Sequence, residues 1–183
     1  IYGQFRFNAG SADYIVGLHS FSDDQLVVFN RNSIHTVRNS LDLESSVSQL
    51  ITNEVGCIAR NTIQQIGNSM IFLSDNGVYG MNFIDLYNLR GQDLPLSSPI
   101  EGIMQRITKE YVHNATSVYF DNRYYLAIPI DESSTNNALV IYNFINKQWE
   151  SVDSIANTSW DFTHLVVGGA DSQRGVYCIN RNG

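Results

Sequence analysis

The side chains able to do chemistry in this chain are few and scattered. Four histidines, His19, His35, His113 and His164, stand isolated from one another, and the two cysteines, Cys57 and Cys178, lie far apart. Metal sites that can be read from sequence place their ligands a few residues apart, because one helix or turn must aim both at the ion. No HExxH, CxxC or paired His/Asp spacing occurs here. A Gly-rich phosphate loop, a GxSxG elbow and a Walker pattern are absent as well, so no nucleophile or phosphate cradle is indicated. Each histidine is expected in a structural or surface role, since His is commonly only partly buried. The cysteines are expected as two buried free thiols, which fits assembly inside a cell. No catalytic, cofactor-binding or metal-binding residue is assigned, and the chain is not expected to be an enzyme.

The elements that hold these residues read as short strands joined by tight turns. In Gly67–Met81 (GNSMIFLSDNGVYGM) an apolar run, Met70 to Leu73, is followed by Asp75-Asn76-Gly77 and a second apolar run. Asn-Gly and Asp-Gly types tolerate the positive φ of hairpin turns, so this stretch predicts a β-hairpin. The same design recurs at Leu26–Val37, Val118–Ile130 and Leu165–Ile179. The first strands begin near positions 26, 70, 118 and 165, spaced by 44, 48 and 47 residues. Four short strands per roughly 40–50 residues is the period of a propeller blade. The expected fold is therefore all-β: a β-propeller of antiparallel four-stranded blades over 1–183, with blade-like repeats near 14–38, 62–82, 116–152 and 162–183.

Two stretches change period. Leu43, Val47, Leu50 and Ile51 in Ser40–Thr52 fall on one face of a helix that Ser40 could cap, although a strand remains possible there. Ser98-Pro99-Ile100-Glu101 reads as a capping box with Pro at the first helical position. Ile100, Ile103, Met104 and Ile107 then form an apolar face, predicting an inserted helix near 99–110 that lies against the blade edges. Trp149, after the polar turn of Tyr142–Trp149, is expected to pack between blades. The chain starts at Ile1 and ends at Gly183, and it reads as a piece of a longer polypeptide with more blades.

Composition narrows the partners. The 183 residues are 43% apolar, enough for a sizeable core, and 18 acidic against 11 basic side chains leave a formal charge of −7. That balance disfavours a nucleic-acid clamp, which needs Lys and Arg to neutralise phosphates. It does not disfavour DNA passing nearby, since an acidic wall repels the duplex. No stretch approaches the 18 apolar residues of a membrane span.

Three segments in order carry a resemblance. They are Gly56-Cys57-Ile58-Ala59 with Thr62–Met81, then Pro95–Ile107 (PLSSPIEGIMQRI), then Ala115–Trp149 with its hairpin VYFDNRYYLAIPI and YNFINKQW. Their order and spacing resemble the β-propeller proteins of phage tails: the nozzle or tail tubular proteins of short-tailed phages and their packaged-DNA stabilisation relatives. The match spans roughly 56–152. The resemblance implies a structural virion component, assembled in the host cytoplasm. It would form a homo-oligomeric ring beside the portal or adaptor and other tail proteins, retaining packaged DNA and letting it leave. It transfers no catalytic residue, and DNA would pass without sequence-specific binding.

A reading from another class is a glycan-binding or sialidase-like propeller used in host recognition. It would stack sugars on loop aromatics such as Tyr14, Tyr87 and Trp160, with carboxylates as acid and base. Leu73–Tyr79 faintly resembles the Asp-box of sialidases, but Leu73 stands where that pattern wants Ser or Thr. The hairpin turn accounts for the stretch. Kelch- and WD-type propellers carry repeated signatures that this chain lacks.

Overall fold

The computed structural model describes residues 5–7, 10–39, 42, 44–83, 89–91, 94–154 and 161–180. Within them each strand pairs with its sequence neighbour. β1 (Ile15–Ser22), β2 (Gln25–Asn30), β3 (Ile34–Arg38) and β4 (Val47–Thr52) form a four-stranded sheet in that order. β5 (Gln64–Ile66), β6 (Ser69–Ser74), β7 (Gly77–Phe83) and β8 (Leu89–Gly91) form a second sheet. β9 (Thr116–Phe120), β10 (Arg123–Ile128), β11 (Ala138–Asn143) and β12 (Gln148–Ser154) form a third. β13 (Phe162–Gly168) and β14 (Gly175–Asn180) form a two-stranded sheet among the described residues, with Phe162 also bridged to Asn136. All these pairings are antiparallel. The protein is all-β, built of antiparallel meanders.

The sheets stack through the alternating faces of their central strands. On β6, Met70 and Phe72 join Val27, Phe29 and Ile34 of the first sheet in one core. Ile71 and Leu73 face the other way and join Tyr124, Leu126, Ile128 and Val140 of the third sheet. On β10, Ala127 and Tyr125 turn from that core toward Phe162 and Leu165 of β13. A strand packed on both faces must be apolar at every position, which explains the unbroken runs LVVF, MIFL and YYLAI.

The first three sheets run past the C-terminal ends expected for their repeats (38, 82 and 152), spanning 15–52, 64–91 and 116–154, while the last spans 162–180, inside the expected 162–183. The first gains β4 because Val47–Thr52 is a strand and not part of a helix. β4 pairs with β3 from Arg38↔Val47 to Ile34↔Thr52. Buried β3 has backbone groups along that edge which a helix would leave unpaired, and this outweighs a short helical spacing. Of the four residues that suggested a helix, Leu43 lies outside the described residues, and Val47 and Leu50 remain exposed.

The helix predicted over 99–110 is also corrected. A 3₁₀ turn, Ser98–Ile100, leads into one α turn, α1 (Glu101–Met104). Pro99 sits in the first turn as expected, but no side-chain cap forms. Ser98 instead donates its hydroxyl to Pro95 O at 2.7 Å. Beyond α1 the backbone is drawn into strand-like contacts: Ile107 bridges to Ile130, and Thr108 N donates to Pro129 O at 2.9 Å. Gly102, a poor helix former, weakens the segment further. The apolar stripe survives, with Met104 and Ile107 buried and Ile100 and Ile103 packed on the same core between the second and third sheets.

The turns follow their residue chemistry. Asp121-Asn122 adopts φ of +48° and +57°, the pair of left-handed residues that a type I′ hairpin needs. At Asp75-Asn76 the positive φ falls on the next residue, Gly77, at +127°. A Cβ on Gly77 would lie 2.2 Å from Ser97 Oγ, which accepts the Val78 N–H at 3.0 Å. Gly77→Val should therefore combine about 1–2 kcal/mol of backbone strain with roughly 1 kcal/mol from the displaced Ser97 bond. For a chain this size each kcal/mol lowers Tm by about 2–4 °C. An unchanged melting temperature would refute this account of the turn.

Candidate functional site

The segments that carry the resemblance meet in one place. Gly56 passes so close to the first sheet that a Cβ would lie 2.4 Å from the Arg31 carbonyl. Only glycine permits that approach, which lets Cys57 N donate to Asn30 O at 2.9 Å while Ile58 N donates to Leu73 O at 3.0 Å. Gly-Cys-Ile thus ties the first sheet to the second. Thr62, fully buried, donates its hydroxyl to Ala59 O at 2.6 Å and accepts Leu73 N–H at 3.0 Å. The Tyr124 hydroxyl reaches across from the third sheet and donates to Thr62 O at 2.9 Å. Trp149 packs edge-on against Tyr142 and donates Nε1–H to Leu96 O at 3.0 Å, locking the segment before α1 between the two sheets.

Outside this joint lies a cleft of about 670 Å³ bounded by the 75–76 turn, the 94–98 segment and the 101–109 segment. Its charged groups are engaged. Arg31 donates to Asp75 at 2.8 Å, Lys109 Nζ donates to Asp75 O at 2.8 Å, and Glu101 accepts from Gln105 at 3.0 Å. The arrangement braces the turn against the helical segment and offers a polar groove rather than a positioned acid–base pair.

No protein family matches the chain, and no curated protein matches it. Its structure is similar to a hemopexin-fold protein, CP4 from cow pea, at 11% identity and a TM-score of 0.43, covering 92% of this chain and 83% of that one. The architecture described above rests on the strand pairing itself.

The residues singled out in the sequence distribute as follows. His19 lies on exposed β1, and its Nδ1 is 2.7 Å from Ser20 O. His35 is buried in the first sheet. His113 and His164, 51 positions apart in sequence, line one small polar cavity. Sequence spacing held no signal for that, because the two approach through separate loops. Cys57 is a buried free thiol, pushed up to about 12 by burial. Cys178 is free but exposed on β14, correcting the expectation of two buried thiols; β14 is that sheet's outer strand among the described residues. Of the loop aromatics, Tyr14 is exposed, while Tyr87 and Trp160 lie outside the described residues. Among acidic residues outside that set, Asp23 and Asp24 form the exposed β1–β2 turn, whereas Asp131 is forked onto Arg106, whose hydrogen bonds hold its carboxyl below the usual range.

His35 gives the fold a pH dependence. Its Nε2 lies 3.3 Å from Ser33 Oγ and its ring 5.0 Å from that of Phe7. Burial lowers its pKa from 6.5, against a smaller pull upward from Asp13. The folded state thus binds a proton less readily than the unfolded chain, so this contribution is complete above pH 6.5 and is lost as pH falls. Thermal melts from pH 8 to pH 5 should show Tm dropping on the acid side, with a shallower drop in His35→Gln. Equal slopes in the two proteins would contradict this.

Proposed function

We propose that the chain is a structural component of a phage tail, a ring-forming nozzle or tail tubular protein whose stacked sheets are the blades of a β-propeller. The observation that carries this reading is the convergence just described. Gly56-Cys57, the Asp75–Gly77 turn, the Pro95–Ile107 segment, the Tyr124–Ile128 strand and Trp149 resemble the tail family in their order and spacing, and they form one physical unit between two sheets. In the ring, copies surround the channel through which packaged DNA leaves, next to the portal or adaptor. Exposed apolar side chains on the outer strands of the first sheet, Leu18, Val47 and Leu50, suit contact between copies.

The alternative, a glycan-binding propeller, has one observation in its favour, the polar cavity lined by Asn136 and Asp161.

Electron micrographs of the purified protein should show rings with a central pore. Duplex DNA should bind very weakly at physiological salt, and lowering the salt should not rescue binding, because a wall of net negative charge repels a duplex carrying one charge per about 1.7 Å. Monomers at every concentration, or tight salt-dependent DNA binding, would overturn the reading.

A further inference from the structure

We propose that the polar cavity where the second, third and fourth sheets meet binds one hexose-sized, polyhydroxylated ligand. The inference is independent of the ring, since the cavity lies within one chain. It encloses about 260 Å³ and is lined from segments that lead into β5, β9 and β13, with a wall from the β10–β11 loop. Asn61, His113, Asn136, Asp161 and His164 are the side chains that matter.

Asn136 is fully buried, and its amide can be oriented from its partners. Nδ2 donates to Asn114 O and to Phe162 O, both at 2.8 Å. The nitrogen is thereby fixed by two acceptors, and Oδ1 is left with no partner. Asp161 Oδ1 is likewise buried without a partner and lines the same cavity. An unpaired buried acceptor costs about 1–3 kcal/mol, and more if charged. Two of them on one cavity call for a ligand that donates two hydrogen bonds. His113 and His164 have no described hydrogen-bond partner, and a neutral imidazole presents one donor and one acceptor. Both rings are exposed and demand no partner, but they offer a ligand that donates to Asn136 and Asp161 a group to which it can also donate or from which it can accept.

A vicinal diol does both from adjacent carbons. The cavity holds about nine waters' volume at ~30 Å³ each, which suits one sugar ring and is large for a bare ion. Calcium would want six to eight oxygens and zinc four ligands. The described residues gather no group of three His, Cys, Asp or Glu. Phe162, nearly buried beside the polar groups, supplies the apolar edge on which a sugar's C–H face can rest.

The test titrates the protein with glucose, galactose, mannose, rhamnose and N-acetylglucosamine, read by calorimetry and thermal shift. At least one should bind and raise Tm. Asp161→Ala should weaken that sugar tenfold or more without lowering the Tm of the free protein, since the carboxylate has no partner to lose. His164→Ala, which leaves Asn136 in place, should weaken it as well. A trisaccharide ending in the same sugar is the second arm: tighter binding makes the ligand a glycan end, weaker binding a free sugar, and either order supports the site. No binding by any of the five sugars overturns the proposal, as does undiminished binding in Asp161→Ala. Calcium or zinc chloride alone raising Tm in the native protein but not in Asp161→Ala overturns it in favour of a metal. A ring that binds no sugar removes this site and leaves the tail reading standing, and a sugar-binding monomer does the reverse.

Discussion

The structure depends on one strand that serves two cores at once. Met70, Ile71, Phe72 and Leu73 are all essentially fully buried, alternate ones facing the first and third sheets. Burying each such side chain is worth about 1.5–3 kcal/mol, and here that stabilisation is divided between two interfaces. The same arrangement makes register critical. A slip of one residue would exchange the side chains between the cores, putting Phe72 where Leu73 belongs. Two-residue turns at either end prevent it: Ile66 pairs with Ser69 across Gly67-Asn68, and Ser74 pairs with Gly77 across Asp75-Asn76. Gly67 at φ +57° and Gly77 at φ +127° supply backbone conformations that fix those turns.

Apolar stacking alone would leave the sheets free to slide, and the polar joints prevent that. β5 is only three residues long, yet it addresses both neighbours. Gln65 Nε2 donates to Phe21 O of the first sheet at 3.1 Å, and Gln64 Nε2 donates to Ser117 O of the third at 3.1 Å. Ser117 answers by donating its hydroxyl to Asn61 O at 3.3 Å. These bonds, with Thr62 and Tyr124, connect backbone groups that stacked sheets would otherwise bury unpaired. They are directional where the hydrophobic contacts are not, so they set the angle between sheets while the cores supply most of the stability.

How much of this was legible in the sequence follows from what each signal depends on. Hairpins depend on local turn chemistry, and the strands flanking Asp75–Gly77 and Asp121-Asn122 appear where the residues put them. β9 and β13 begin at Thr116 and Phe162, where the third and fourth blade-like repeats are expected to start. The helical readings failed where a distant strand competed for the same backbone: β3 claimed Val47–Thr52, and Pro129–Ile130 claimed Ile107–Thr108. Apolar spacing still named the buried face of the second segment correctly, because burial does not require a regular helix. The Asn136 cavity was illegible for a different reason. Its walls come from segments spread between Asn61 and His164, and nothing in any one of them marks it.

The placement of charge and of exposed apolar side chains bears on assembly. Three arginines are consumed by carboxylates: Arg31 by Asp75, Arg106 by Asp131, and Arg123 by Glu150 and Asp121. The net negative charge is then carried by acidic groups at turns, such as Asp23 and Asp24 between β1 and β2 and Glu132 beside Asp131. Exposed apolar side chains occur in loops, at Tyr14, Leu94 and Ile145, and also on strands: Leu18 on β1, Val47 and Leu50 on β4, and Val166, Tyr177 and Ile179 on the final hairpin. Contact between copies through strands would bury apolar area while leaving the turn carboxylates in water, so association would carry little charge desolvation cost. Repulsion among turns is screened beyond roughly 8 Å at physiological salt, whereas burial of apolar area is not. Association of this kind would tighten with added salt, the opposite of a contact built on ion pairs.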